Sequence, residues 1–231
     1  MKKIYLLVFT GLLSASAFSQ VKWGAQVIGN LSSAHITGLE EDEEEFVKRK
    51  SIFAYGVGVS AEVALGKEFT LRPSLNLLKK GVQLDINFSE PSIGYREEIN
   101  FRTSLYYAEL PLNLTFNGPL KSGKYFIGFG PSFGLGLFGK AKTEATYQDP
   151  GQAPYSESEE TDAFKSEDED GGGFKRFEMS GNIIAGLQWN NGLYVNAGYL
   201  VGLTSTLPTD DGGSYKNKGL QLTLGMFFGK K

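Results

Sequence analysis

From Trp23 to Phe228 apolar and polar positions alternate with a period of two in one segment after another, which is the pattern of strands with two unlike faces and not of helices. Trp23, Ala25, Val27 and Leu31 share one face of the first segment, with Lys22, Gln26 and Asn30 opposite. Phe53, Tyr55, Val57, Val59, Ala61 and Val63 oppose Ala54, Gly56, Gly58, Ser60 and Glu62 in the second. The third sets Phe69, Leu71, Leu75 and Leu77 against Thr70, Arg72, Ser74 and Asn76, and the fourth sets Leu110, Leu112, Leu114 and Phe116 against Glu109, Asn113 and Thr115. In the fifth, Tyr125, Ile127, Phe129, Phe133, Leu135 and Leu137 alternate with Gly128, Gly130, Ser132, Gly134 and Gly136. Three more follow, over Phe177–Trp189, Leu193–Leu203 and Leu220–Phe228, giving eight in all.

The connections alternate as well. Those near 65–68, 117–123 and 190–192 are short, and those near 34–51, 87–102, 139–175 and 204–217 are long. An even number of strands with short turns at one end and long loops at the other is the plan of a transmembrane β-barrel with both termini in the periplasm. Aromatics fall where interfacial girdles belong. Trp23, Phe69, Phe116, Tyr125, Trp189 and Phe228 lie at the periplasmic ends, and Phe53, Tyr55, Phe101, Tyr106 and Phe177 lie toward the outer rim. A water-soluble barrel would put its bulky apolar face inside and a charged face outside. The less apolar face here is mostly Gly, Ser, Asn, Thr and Ala, which suits a narrow, filled lumen. Pro73, Pro111 and Pro131 sit within these strands without a backbone donor, so bulges or kinks are expected there.

Composition sharpens this reading. Thirty glycines and thirty aromatics in 231 residues fit strands and turns better than helices, in which Gly costs about 1 kcal/mol relative to Ala. With no cysteine, thiolate chemistry, disulfides and Cys-based zinc or iron–sulfur sites are excluded. A single histidine, His35, placed by its position in the first long loop, leaves no basis for a Ser-His-Asp or multi-histidine site. The formal charge of −3 argues against nucleic acid as a partner. Residues 1–19 read as a signal peptide: Lys2 and Lys3, an apolar run from Ile4 to Leu13, then small residues, with Ala17-x-Ser19 the preferred cleavage signal and Ala15-x-Ala17 the second. Residues 20–231 form the barrel domain.

Several motifs touch on chemistry. Gly134-Leu135-Gly136-Leu137-Phe138-Gly139-Lys140 satisfies a dinucleotide pattern and most of a P-loop, but a phosphate loop must open a helix, and Ala141 stands where the P-loop needs Ser or Thr. Lumen-facing strand glycines are the better reading. Ser166 to Gly171 resembles a calcium loop but has Ser166 and Phe177 where ligating carboxylates belong, so a solvated acidic loop is the default. Six acidic residues from Glu40 to Glu45 and ten between Glu144 and Asp170 put well over half of the chain's 26 acidic residues on two outer loops. Such loops stay solvated and favour basic partners or cations. Arg72, Glu62, Glu109 and Glu178 have lumen parity and are expected to pair across the barrel as an internal plug, a gated ion path being the alternative.

Leu71-Arg72-Pro73-Ser74-Leu75-Asn76 with Lys79-Lys80-Gly81, Tyr107-Ala108-Glu109-Leu110-Pro111-Leu112, Gly130-Pro131-Ser132-Phe133-Gly134 and Gly198-Tyr199-Leu200-Val201-Gly202-Leu203 together resemble the PorT-like outer-membrane β-barrel family of Bacteroidota. The resemblance implies an eight-stranded barrel in which the strand prolines are a shared feature. It implies little about activity: the family's founding member is associated with a protein secretion system, and most relatives have no assigned role.

The expected fold is all-β: an eight-stranded antiparallel transmembrane barrel of the outer-membrane type with long acidic extracellular loops. The expected role is structural or partner-binding through those loops, without enzymatic activity, catalytic residues, cofactor or metal. Its expected partners are outer-membrane lipid, the outer-membrane assembly machinery and an extracellular or periplasmic protein, with the barrel itself a monomer. A secretion accessory, a narrow channel and a lipid-acting enzyme are the alternatives.

Overall fold

The computed structural model describes residues 21–38, 46–90, 92–165, 173–207 and 213–228. The expected signal peptide, the Glu40–Glu45 run and the Ser166–Gly171 run lie outside these residues. Ten strands are present among the described residues: β1 (Lys22–Thr37), β2 (Val47–Ala64), β3 (Phe69–Lys80), β4 (Val82–Glu90), β5 (Tyr95–Leu120), β6 (Gly123–Gln148), β7 (Tyr155–Asp162), β8 (Phe177–Trp189), β9 (Leu193–Gly202) and β10 (Ser214–Phe228). No helix among the described residues is long and apolar enough to cross a membrane, so any crossing is made by strands.

Every pairing is antiparallel, and the sheet closes where β1 meets β10, from Trp23↔Phe228 to Thr37↔Ser214. The ten strands occupy eight positions around this wall. β3 and β4 follow one another in a single position, both pairing with β2 on one side and β5 on the other. β7 and β8 likewise share one edge of β6, upper and lower. The eight expected strands are these eight positions.

Both interruptions have local causes. Between β3 and β4, Gly81 has φ of +153°, a conformation other residues rarely adopt. Its N–H donates to Ser32 Oγ at 2.9 Å and that of Val82 to Thr103 Oγ1 at 3.0 Å, so side chains satisfy the donors at the break. Between β7 and β8 the chain leaves the wall and turns inward, with Ala163 N–H on the Gly139 carbonyl at 3.0 Å and Phe174 N–H on the Ala163 carbonyl at 2.7 Å.

The alternation has the expected sense. Trp23, Phe53 and Leu222, at 64%, 70% and 60% exposure, stand on the outer face with the other large apolar side chains, while Asn30, Ser60, Arg72, Asn76, Glu109 and Asn182 are buried inside. This is the reverse of a water-soluble barrel. The six aromatics expected at the periplasmic ends are all outward and exposed. Phe101 departs from the expected outer girdle: it pairs with Leu84 and Thr143 on the inner face of the upper sheet.

The long connections are shorter than expected. Most of 87–102 is the β4–β5 hairpin, paired as far as Glu90↔Tyr95, and most of 139–175 is the upper half of β6 returning as β7. His35 lies in β1, opposite Lys216 and exposed, not in a loop. Above the lipid-facing belt both faces of a strand meet water, so apolar alternation fades while backbone pairing continues. The prolines also behave differently from expectation. Pairing lapses beside each one, as between Pro73↔Leu112 and Asn76↔Glu109 and between Pro111↔Ser132 and Leu114↔Phe129, but the register is unchanged across each lapse. The shift in the β5–β6 ladder lies elsewhere: Tyr106 faces Phe138 and Tyr107 faces Gly136, leaving Leu137 as an extra residue.

Candidate functional site

The inner face of the barrel holds two ionic layers under an apolar cap. The lower layer is centred on Glu62, near the end of β2. Its carboxylate accepts from Arg72 at 2.8 Å and Lys124 at 3.1 Å, and Lys22 lies 3.7 Å away. Arg72 also donates to Gln188 Oε1, and its guanidinium carbon lies 3.8 Å from the Phe126 ring centre. These side chains converge because they stand at the periplasmic ends of neighbouring strands with inward parity.

The upper layer is centred on Lys80, the last residue of β3. Its ammonium pairs with Glu109 at 3.1 Å and with Glu178, all three side chains being no more than 3% exposed. The carboxylates have further donors: the Ser132 hydroxyl to Glu109 at 2.6 Å and the Asn217 amide to Glu178 at 2.6 Å. The strand glycines make room for this layer, since a Cβ on Gly134 would stand 2.7 Å from Glu178 Cγ. Between the two layers a chamber of about 50 Å³ is lined by polar side chains including Gln26, Asn76, Asn113, Asn182 and Thr223.

Above Lys80 the lumen turns apolar. Leu105, Tyr107, Ala163 and Phe164 form one buried cluster, and Ala34, Val82 and Tyr215 form another, with Phe174 packed against both. Phe164 meets Tyr107 edge-on at 5.9 Å and Phe174 meets Tyr215 at 4.9 Å. The inward segment after β7 therefore carries the aromatic stopper of the outer mouth.

The expected pairing of Arg72, Glu62, Glu109 and Glu178 across the lumen is thus realised as two separate groups. Lys80, Lys124 and Gln188 complete them and were not anticipated. The signal for Lys80 is its parity with Arg72 and Asn76. The glycine motif from Gly134 to Lys140 lies entirely in β6, with Gly134, Gly136 and Gly139 facing inward, and opens no helix.

Beyond the belt, the upper parts of β4, β5, β6 and β7 form a sheet outside the barrel wall. Part of the acidic region expected as a loop is strand here: on β7, Glu160 answers Lys140 of β6 at 3.0 Å, and Lys142 pairs with Glu144 along its own strand. Glu97, Glu157 and Glu159 stand on the other face of this sheet, near the stacked pair Tyr147 and Tyr155, whose centroids are 5.2 Å apart. The Tyr155 phenol is held above its ordinary value, first by partial desolvation and then by Asp149, Glu157 and Glu97, as expected in a negative local field. Among the described residues no three or more His, Asp or Glu side chains are grouped to hold a metal ion.

A family model described as an outer membrane protein beta-barrel domain matches residues 18–207. Comparison with curated proteins returns no match. Among solved structures, the chain is similar to Ail, the attachment invasion locus protein of Yersinia pestis, solved with the heparin analogue sucrose octasulfate, at 14% identity and a TM-score of 0.32 over 90% of this chain and 99% of that one. It is also similar to Neisserial surface protein A, at 10% identity and a TM-score of 0.34 over 89% and 97% of the two chains. An outer membrane channel from Pseudomonas putida F1 aligns at 10% identity and a TM-score of 0.29 over 90% and 95%.

Proposed function

The chain belongs to the outer membrane protein beta-barrel domain family and resides in the outer membrane, and from that premise we propose that it is a closed scaffold whose extramembrane sheet docks a basic protein partner. The observation that carries this reading is the contrast between lumen and sheet. The interior is filled by the Lys80–Glu109–Glu178 layer and the Phe164 cap, whereas β5 and β6 each run for 26 residues. A membrane crossing uses about 9–11 of those residues. Each strand thus commits more than half its length to the aqueous side, and β7, exposed throughout, forms the edge of that sheet. Glu97, Glu157 and Glu159 give the docking face its preference for cations, and Tyr147 and Tyr155 give it flat contact area. No catalytic group is needed for this role.

The test is photo-crosslinking in intact cells from a probe at Thr161 on β7, which shares the face of Glu157 and Glu159, with a second probe at Val57 on the lipid-facing wall as control. A discrete protein adduct from Thr161, lost in E157Q/E159Q, is the expected result. Adducts that are absent or identical from both positions overturn the proposal.

A second reading, an accessory of protein secretion, is favoured by the PorT-like motifs around Pro73, Pro111 and Pro131. Deleting the gene and assaying exported cargo separates the two, since loss of cargo from the medium supports this reading and normal export removes it.

A further inference from the structure

The outer wall has a feature that partner docking does not use. Across β3, β5 and β6, Lys79, Tyr106 and Phe138 form one outward row at the top of the lipid-facing belt. Tyr106 and Phe138 stack with centroids 4.6 Å apart, and the Lys79 ammonium lies 5.8 Å from the Tyr106 ring centre. Below this row face Leu77 and Leu110; above it come Ser104 beside Lys140, then Arg102 beside Lys142.

The extra residue Leu137 creates this arrangement. Below it the odd-numbered residues of β6 face outward, and above it the even-numbered ones do, so the bulge aims Phe138, Lys140 and Lys142 at the exterior. Lys140 and Lys142 are answered by Glu160 and Glu144. Lys79 and Arg102 have no acidic partner among the described residues. Both line one groove of about 480 Å³ together with Ser104, Tyr106, Phe138, Lys140 and Lys142, while Glu160 and Asp162 of β7 are its two acidic members, so four cations face two carboxylates.

We propose that this groove binds the phosphate-bearing headgroup of an outer-leaflet lipid, with Lys79 and Arg102 as the cations that grip the phosphate. Two cations and a hydroxyl around one space match a phosphate's charge and acceptor oxygens. The groove lies on the outward face above the exposed Leu77 and Leu110, so acyl chains of the same molecule have that apolar wall to lie against. A free anion would make no use of that wall. The stacked aromatics supply a flat interfacial surface for a sugar or glycerol moiety.

The experiment is native mass spectrometry on the full-length protein in neutral detergent, titrated with phosphorylated lipid A, the same lipid dephosphorylated, and inorganic phosphate. The phosphorylated lipid is expected to form a retained one-to-one adduct, and K79Q/R102Q is expected to weaken it by about tenfold or more. K216Q/K218Q removes the same charge from β10 and is expected to leave the adduct unchanged. Heat-modifiable migration establishes that each variant is folded. Equal adducts with the dephosphorylated lipid, equal losses in both double variants, or binding of inorganic phosphate as tight as that of the lipid would each overturn the proposal.

Discussion

Lys80 and Glu109 face each other across 3.1 Å inside the barrel, each side chain about 2% exposed, and Glu178 shares the same ammonium. Burial of this kind is sustained only while the charges answer one another, because desolvating an ion costs several kcal/mol. Lys80→Met leaves two carboxylates together without a cation and is expected to destabilise the barrel by about 3–5 kcal/mol. K80M/E109Q/E178Q removes the uncompensated charge and is expected to recover most of that loss. Urea midpoints followed by heat-modifiable migration check both, and equal loss in the single and triple variants would refute the account.

Glycine tolerance should depend on facing. At Gly134 a Cβ would stand 2.7 Å from Glu178 Cγ, whereas at Gly29 the nearest atoms would be 3.9 Å away. Gly134→Val is expected to cost about 1–3 kcal/mol through overpacking. Gly29→Ala is expected to stay within about 0.5 kcal/mol of the parent. The same urea titration reads both.

A lumen filled at three levels should not conduct. In planar bilayers the protein is expected to give no steady current, and Phe164→Ala together with Phe174→Ala is expected to change that little, because both ionic layers remain beneath the cap. A stable open level in the unaltered protein would contradict the reading of the lumen as sealed.

The upper sheet should be sensitive to acid. Asp85 on β4 is held below the usual carboxylate range, chiefly by its hydrogen bond from Lys50 and then by that from Gln83. A depressed carboxyl stabilises the fold above its unfolded value, near the ordinary 3.8, and loses that contribution as pH falls through the lower folded value. The β2–β4 pairing should therefore loosen below about pH 4. Asp85→Asn is expected to flatten the response, read as protease sensitivity within Val47–Ser51 and Val82–Ile86 against pH.

Strand positions and their facing were legible in the sequence wherever one face meets lipid and the other the lumen, as from Trp23 to Leu31 and from Leu220 to Phe228. That contrast is what writes a period of two into a chain. Upper β5 and β7 have water on both faces, so Glu157 to Asp162 carried no such signal and read as loop. Lys80 was hidden by its neighbours: Leu77 and Leu78 are both apolar, which masks the alternation just before the lysine, although Leu78 and Lys80 keep the inward parity of Asn76. Phe164 was out of reach for another reason, since a segment that leaves the wall to enter the lumen follows no strand period.

The pairing of Trp23 with Phe228 has a consequence for how the barrel forms. Those residues are separated by almost the whole described chain, while every other neighbour in the wall follows within one or two strands. Until β10 arrives, β1 presents a row of unsatisfied amides and carbonyls, and an open edge of that kind recruits whatever strand is at hand. The earliest strand to be made pairs with β2 at once on one edge and is the last to find a mate for the other. Closure of that seam, a contact of the highest sequence separation available, is the step expected to set the pace of folding.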